Sequence, residues 1–347
     1  MELFSHKISH NDINIKLPWI EKYRPINADN ILLEPFIKQK IISIIESKTI
    51  PNMIITGEPG TGKTSTILFI AKHIYPSDYS DYVLELNASD DKGLPIINNL
   101  IYPFCKKKKE KHKLVILDEA DTITQKAQYL LSNMLSEFIQ TTRFIFICND
   151  CSQIIETIQS KCMMIKYPKI SNENLIIKVI EICKNEQITY DSKSLNTLLF
   201  VSNNDIRQII NNLECIYYSF NILNEENIYK LVDKPKIFYI KKILKYCYEK
   251  NFNEVIKIIK FLIENSYTSN DIILTFMKYL IEISDSSNYL KEIILDSTID
   301  IELIKLKIYD ILSSRYIIIN DNIDSYLQLY GCIAHIYLFI NDLDYNV

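Results

Sequence analysis

Glycine is scarce in this chain: there are five in 347 residues. Long apolar runs are missing too. The longest, Leu329 to Ile340, is too short to span a bilayer. The first residues, MELFSHKISHNDINIK, hold no apolar segment of the kind that directs secretion. These absences predict an intracellular protein with no membrane partner. A basic excess is also absent. The net charge of −4 argues against a surface coated in basic residues, though a local basic groove stays open. The eight cysteines are scattered, as suits reduced thiols. Cys148 and Cys151 form one C-x-x-C, but no second pair or histidines follow at zinc-ligand spacing, so the pair reads as a strand end and its turn.

What is present is ordinary for a globular protein of two or three domains, with 48% apolar residues and 24% charged. The composition leans toward Ile, Asn, Lys and Tyr, so a single Lys or Asn carries little weight. Short apolar runs at 52–56, 82–86, 114–117, 144–148 and 163–167 read as strands separated by helix-like segments. Strands alternating with helices predict a parallel sheet covered on both faces. After Pro168 the pattern turns helical, over 175–186 and 204–218. The chain crosses VDKPK near Pro235, and further helical stripes follow. One places Val255, Ile258, Ile259 and Leu262 on a face; another starts at the cap candidates Ser269, Asn270 and Asp271.

Three of the five glycines fall within residues 57–62. Gly57-x-x-x-x-Gly62-Lys63-Thr64 is a complete phosphate loop between a buried strand and a helix. Backbone N–H groups must turn inward around a phosphate, in conformations and at distances that a Cβ forbids. The helix N-terminus adds its dipole. Lys63 is placed to reach the β- and γ-phosphates and Thr64 to ligate Mg²⁺. The strand in KLVILDEAD ends in Asp118 and Glu119. Asp118 suits the metal, and Glu119 suits orienting and deprotonating a water. Asn149 ends the next strand, RFIFICN, and is either a polar group facing the phosphate side or a turn residue.

In order, the chain carries LPWIEKYRP (17–25), GEPGTGKTS (57–65), LELNASDDKG (84–93), LDEAD (117–121), FICN (146–149), IQSKC (158–162) and NNDIRQIINNLE (203–214). Together these resemble a small subunit of replication factor C, the AAA+ loader of sliding DNA clamps. The resemblance implies an α/β AAA+ P-loop core over 1–168, a helical lid over 169–233 and an all-α collar over 234–347. It implies ATP and Mg²⁺ as cofactors. Ile20, Tyr23, Arg24 and Leu32 would line the adenine pocket, with Trp19 and Tyr23 otherwise simply packing an N-terminal arm. Gly57, Glu58, Pro59, Gly60, Thr61, Gly62, Lys63, Thr64 and Ser65 would contact the nucleotide. Asn149 and Arg207 would be the two sensors of the γ-phosphate. The family usually has glycine where this chain has Asn204, a residue that tolerates the left-handed conformation.

The implied partners are other replication factor C-type subunits in a five-membered ring, a PCNA-like sliding clamp, and primer–template DNA held through its backbone. The implied place is the nucleus, or the replication site of a large DNA virus. Leu94 to Cys105 matches the segment that relatives present to the clamp, with Leu94, Ile97, Ile101 and Phe104 as expected contacts. Lys92 falls at a position usually basic in the family. The run KKKKEKHK (106–113) reads as a solvated loop. Relatives usually carry Ser-Arg-Cys where this chain has Lys161, and a pair of arginines where it has Ser132 and Asn133. This predicts a weak activator in trans whose own site is complete. Two alternatives stay open: an ATP-binding scaffold subunit with little hydrolysis, and another AAA+ machine such as an initiator or helicase loader. The intact Lys63, Asp118 and Glu119 argue against the first. The absence of a basic recognition helix in 235–347 argues against the second.

Overall fold

The computed structural model describes residues 17–25, 32–89, 93–232, 234–282, 301–321 and 325–342. The chain divides into two compact units, Met1–Ile228 and Tyr229–Val347.

The first unit is built on five strands: β1 (Met53–Gly57), β2 (Val83–Asn87), β3 (Lys113–Asp118), β4 (Thr142–Cys148) and β5 (Met163–Tyr167). They lie in the order β2-β3-β4-β1-β5, all parallel. All five expected strands are present. The three central ones are buried almost throughout, which is why they read as unbroken apolar runs. Met53 and Ile55 face one side of the sheet and Ile54 the other, and the two faces carry separate cores. The first core is filled by α2 (Pro35–Ser47), through Ile37, Ile41 and Ile44, and by α3 (Lys63–Ile74), through Ile67, Ile70 and Ala71. The second takes Leu131 and Leu135 from α4 (Gln125–Glu137) and Ile97, Ile101 and Cys105 from the helical stretch over 94–106. A short helix α1 (Trp19–Lys22) precedes this sheet; α5 (Asn172–Asn185), α6 (Ser192–Val201) and α7 (Ile206–Ser219) follow it. A two-residue parallel pairing of Thr189–Tyr190 with Ile222–Leu223 lies among the last three and has no signal in the sequence.

β4 sits between β1 and β3, with Thr56 opposite Cys148 and Leu117 opposite Phe146. The residues that follow β1, β3 and β4 therefore emerge side by side at one edge of the sheet, where doubly wound sheets bind ligands.

The second unit is helical in its described residues. It comprises α8 (Ile237–Tyr248), α9 (Phe252–Glu264), α10 (Ser269–Glu282), α11 (Ile301–Asn320) and α12 (Tyr326–Asp342). They share one apolar core in which Ile259, Phe276, Leu312 and Ile333 are fully buried. The apolar stretch Leu329 to Ile340 is the body of α12. Among the described residues, no helix is long and apolar enough to cross a membrane.

Two expectations need correction. Lys113 is not part of a solvated loop: it is the first residue of β3 and 1% exposed. Ile97 and Ile101 are not surface contacts, because they pack into the second core at 3% and 1% exposure. On that stretch Leu94 and Leu100 are exposed. Lys92 lies outside the described residues.

Candidate nucleotide site

The phosphate loop leaves β1 and closes on the N-terminus of α3. Gly60 and Gly62 hold φ of +76° and +86°, in the left-handed region. A Cβ at Gly60 would stand 2.1 Å from Asp205 Oδ1, so another residue would strain the backbone and displace the Asp205 carboxylate. The Thr61 hydroxyl donates to the Glu58 carbonyl at 2.9 Å and closes the turn.

Lys63 is buried beneath this loop. Its ammonium donates to the carbonyls of Gly57 (2.7 Å) and Glu58 (2.8 Å) and to Asn149 Oδ1 (2.9 Å). Burial pulls its pKa below the ordinary lysine value, and the Asp118 carboxylate works against that shift. The Thr64 hydroxyl donates to Asp118 Oδ2 at 2.8 Å. These two hard oxygens, at the start of α3 and the end of β3, fit the donor set of Mg²⁺. Glu119 follows with φ +52° and an exposed side chain, and its N–H is tied to Asp118 Oδ1 at 2.9 Å.

A cavity of about 470 Å³ opens above these groups, within the usual size range of ligand sites. It is lined by Gly60, Thr61, Gly62, Thr64, Ser65, Asp118, Glu119 and Arg207. Ile20, Tyr23, Arg24 and Leu32 from the N-terminal arm also line it. Twelve residues singled out from the sequence thus line one cavity. Gly57, Lys63 and Asn149 stand behind that lining, joined to it by the Lys63 hydrogen bonds. Glu58 and Pro59 are exposed, and Glu58 pairs with Lys169 at 3.0 Å.

Lys161 is not brought to this cavity. Its ammonium donates to Ser132 O (2.8 Å), Ser132 Oγ (3.2 Å) and Ser136 Oγ (2.9 Å), all on α4 of its own chain. The Cys148 thiol is buried and pushed up to about 11, and no metal-binding cluster occurs among the described residues.

Arg207 is placed by its cap. The Asp205 carboxylate accepts the Arg207 N–H at 2.8 Å and starts α7, after Asn203 and Asn204 take φ of +54° and +57°. Asn204 thus adopts the left-handed turn that glycine usually serves. The lining by Ile20, Tyr23, Arg24 and Leu32 depends on the N-terminal arm. Trp19 is buried, its backbone N–H donates to Glu214 Oε2 at 3.0 Å, and its ring lies 5.2 Å from that of Tyr217. The Tyr23 hydroxyl donates to Glu186; burial first, and that bond second, raise its pKa far above the ordinary phenol value. The arm is therefore fastened to α7 and to the end of α5.

Asn87, Ile170, Lys178, Ile206 and Ile210 also line the cavity, and sequence reasoning missed them. Asn87 ends β2 inside a quoted motif and could have been found as a polar strand end. Ile206 and Ile210 lie one helical turn apart and look like any core pair.

Residues 53–169 match the model of the ATPase family associated with various cellular activities (AAA), and residues 235–335 match the replication factor C C-terminal domain. Replication factor C subunit 4 of Saccharomyces cerevisiae is 34% identical over 334 residues, covering 95% of this chain and 98% of the yeast protein. The chain belongs to the replication factor C small subunits. Subunit 4 of Oryza sativa is also 34% identical, over 92% of both chains. A protein of Acanthamoeba polyphaga mimivirus described as a replication factor C small subunit is 36% identical, over 92% of this chain and 96% of its own. Among solved structures, the Thermotoga maritima RuvB Holliday junction branch migration motor superposes with a TM-score of 0.51 at 13% identity. It covers 65% of this chain and 78% of its own, and that likeness concerns the fold alone. The first unit is thus an AAA+ domain and the helical unit a replication factor C C-terminal domain.

Proposed function

We propose that this replication factor C subunit binds and hydrolyses ATP within a clamp-loader ring that opens a sliding clamp and places it on primer–template DNA. The observation that carries this is the convergence of Lys63, the Thr64–Asp118 pair and Asn149 at one edge of the sheet, beneath the cavity that holds Glu119 and Arg207.

In this reading Gly57 to Ser65 cradle the phosphates of ATP, and Lys63 exchanges its carbonyl partners for phosphate oxygens. Thr64 and Asp118 would hold Mg²⁺, which when bound neutralises phosphate charge. Glu119 orients the attacking water and accepts its proton. Asn149 from below and Arg207 from the lid bind the γ-phosphate. Ile20, Tyr23, Arg24 and Leu32 enclose the base. The lid is residues 169–233 and the collar, through which the ring assembles, residues 234–347. Leu94 and Leu100 supply the exposed apolar contact to the clamp. A role for Lys161 in a neighbour's site requires it to leave Ser132 and Ser136, which makes this subunit a weak activator in trans. The subunit works with the rest of the ring, in the nucleus or at a viral replication site.

The test is reconstitution with four other replication factor C subunits, a clamp and primed DNA. ATP-dependent loading that fails with Glu119→Gln supports the reading. A ring that loads at the normal rate with Glu119→Gln makes this chain an ATP-binding scaffold. Failure to assemble with those subunits points to another AAA+ machine. Slower single-turnover hydrolysis in Lys161→Ala, or faster in Lys161→Arg, measures its action in trans.

A further inference from the structure

LDEAD ends in Asp121, to which the reading of the site gives no task. Asp121 Oδ2 accepts the backbone N–H of Asn149 at 3.0 Å and of Asp150 at 3.4 Å. These are the first two amides beyond β4. Asn149 is otherwise held by two bonds that point toward the phosphate loop. Its side-chain oxygen accepts from Lys63 at 2.9 Å, and its carbonyl accepts from the Thr56 hydroxyl at 3.2 Å. Asp121 alone of these partners comes from the side of the turn that follows Glu119.

The far end of the same turn is pinned separately. Gln128 is 1% exposed. Its amide nitrogen donates to Ile123 O (3.0 Å) and Gln153 O (2.9 Å), and its oxygen accepts from the Ile155 N–H (2.8 Å). With Gln128 in place, loss of the Asp121 carboxylate releases only the near end of the turn, where Asn149 sits. A carboxylate accepting two successive amides also fixes the backbone angles between them, and so the direction of the Asn149 side chain.

We propose that Asp121 is the positioning residue for Asn149: it ties the turn that carries Glu119 to the turn that carries Asn149, so that the water-activating carboxylate and the γ-phosphate contact keep one fixed spacing. This rests on the roles proposed for Glu119 and Asn149. Asp121 does not line the cavity and acts through its neighbour's backbone.

The test is single-turnover ATP hydrolysis by the full complex, with ATP affinity and the melting temperature of this subunit measured alongside. Asp121→Ala should slow hydrolysis about tenfold or more, as loss of a supporting contact does elsewhere, and leave affinity and melting unchanged. Asp121→Asn keeps an acceptor oxygen and should restore most of the rate. If Asp121 acts only through Asn149, Asp121→Ala combined with Asn149→Ala should be no slower than Asn149→Ala alone. A double variant slower than Asn149→Ala overturns the proposal. So does Asp121→Ala at the wild-type rate while Asn149→Ala is slow, or a rate loss matched by a fall in melting temperature. Asn149→Ala at the wild-type rate would instead overturn the site reading underneath.

Discussion

Lys63 and Lys113 are both buried lysines at opposite ends of the strands of one sheet, Lys63 at the start of α3 just beyond β1 and Lys113 at the start of β3. Burial lowers the pKa of each. Lys113, at the start of β3, donates to the carbonyls of Phe104, Cys105 and Lys107, at the C-terminal end of a short helix. Lys63, just beyond β1, donates to two loop carbonyls and to the side chain of Asn149, beneath an open cavity. The partners of Lys113 all belong to one short stretch of backbone, and the bond pattern has no second use. Those of Lys63 come from the glycine loop and a second strand end, and on the proposed reading they give way to phosphate oxygens. On that reading a buried cation is thus a support at one edge and a receptor at the other, and the neighbours make the difference.

Variants at the two edges should separate cleanly. The largest effect is expected for Glu119→Gln, which removes the proposed base at the cavity edge. Hydrolysis in the complex should fall by about 10²–10⁴, with ATP affinity and melting preserved. Next is Lys63→Met. Two or more charge-assisted bonds at ~1.5–3 kcal/mol each imply at least about a 100-fold loss of ATP affinity, read by titration with a fluorescent nucleotide. The nucleotide-free chain also loses a donor to the Gly57 and Glu58 carbonyls, but beside an open cavity, so it should lose less stability than Lys113→Met does. Lys113→Met keeps the apolar stem but leaves buried carbonyls without a donor. It should cost ~1–3 kcal/mol in urea unfolding, while ATP affinity per folded molecule stays put. A fall in nucleotide affinity with Lys113→Met, or a large fall in stability with Lys63→Met, breaks the comparison.

The smallest effect is on pH dependence. The Lys113 pKa is lower in the folded chain than in the unfolded one, so the unfolded chain binds more protons across that window. Wild-type stability then gains with rising pH up to the ordinary lysine value, and Lys113→Met lacks this gain. The stability gap between them should widen as the pH rises toward the ordinary lysine value. A gap that narrows would mean that the carbonyls stabilise the ammonium by more than burial costs it.

The receptor edge was readable in the sequence because its demands are local. A phosphate loop needs glycine at fixed spacing, and strand ends next to it need specific side chains. Asn204 was readable for the same reason: a left-handed turn admits few residues. The support edge was hidden by composition. In a lysine-rich run, nothing distinguishes Lys113 from the exposed lysines before it, because its burial follows from its place in β3. Ile97 and Ile101 misled in the opposite way, since an apolar stripe looks the same whether it meets its own sheet or a partner. Asp121 stood inside a quoted motif, but its partner is a backbone amide 28 residues away, which no side-chain pattern records. The fastening of Trp19 and Tyr23 likewise depends on glutamates that only tertiary structure brings near.

That last feature bears on how the protein is made. On the reading proposed above, the arm that encloses the base is fastened from Trp19 to Glu214, 195 residues apart, and from Tyr23 to Glu186, 163 apart. During synthesis the phosphate loop leaves the ribosome long before either glutamate exists. A nascent chain ending before Glu186 holds the cradle for the phosphates but not the enclosure for the base. ATP in the cell therefore has little to grip until the first unit is nearly complete, and nucleotide binding rewards the finished domain rather than guiding its early folding.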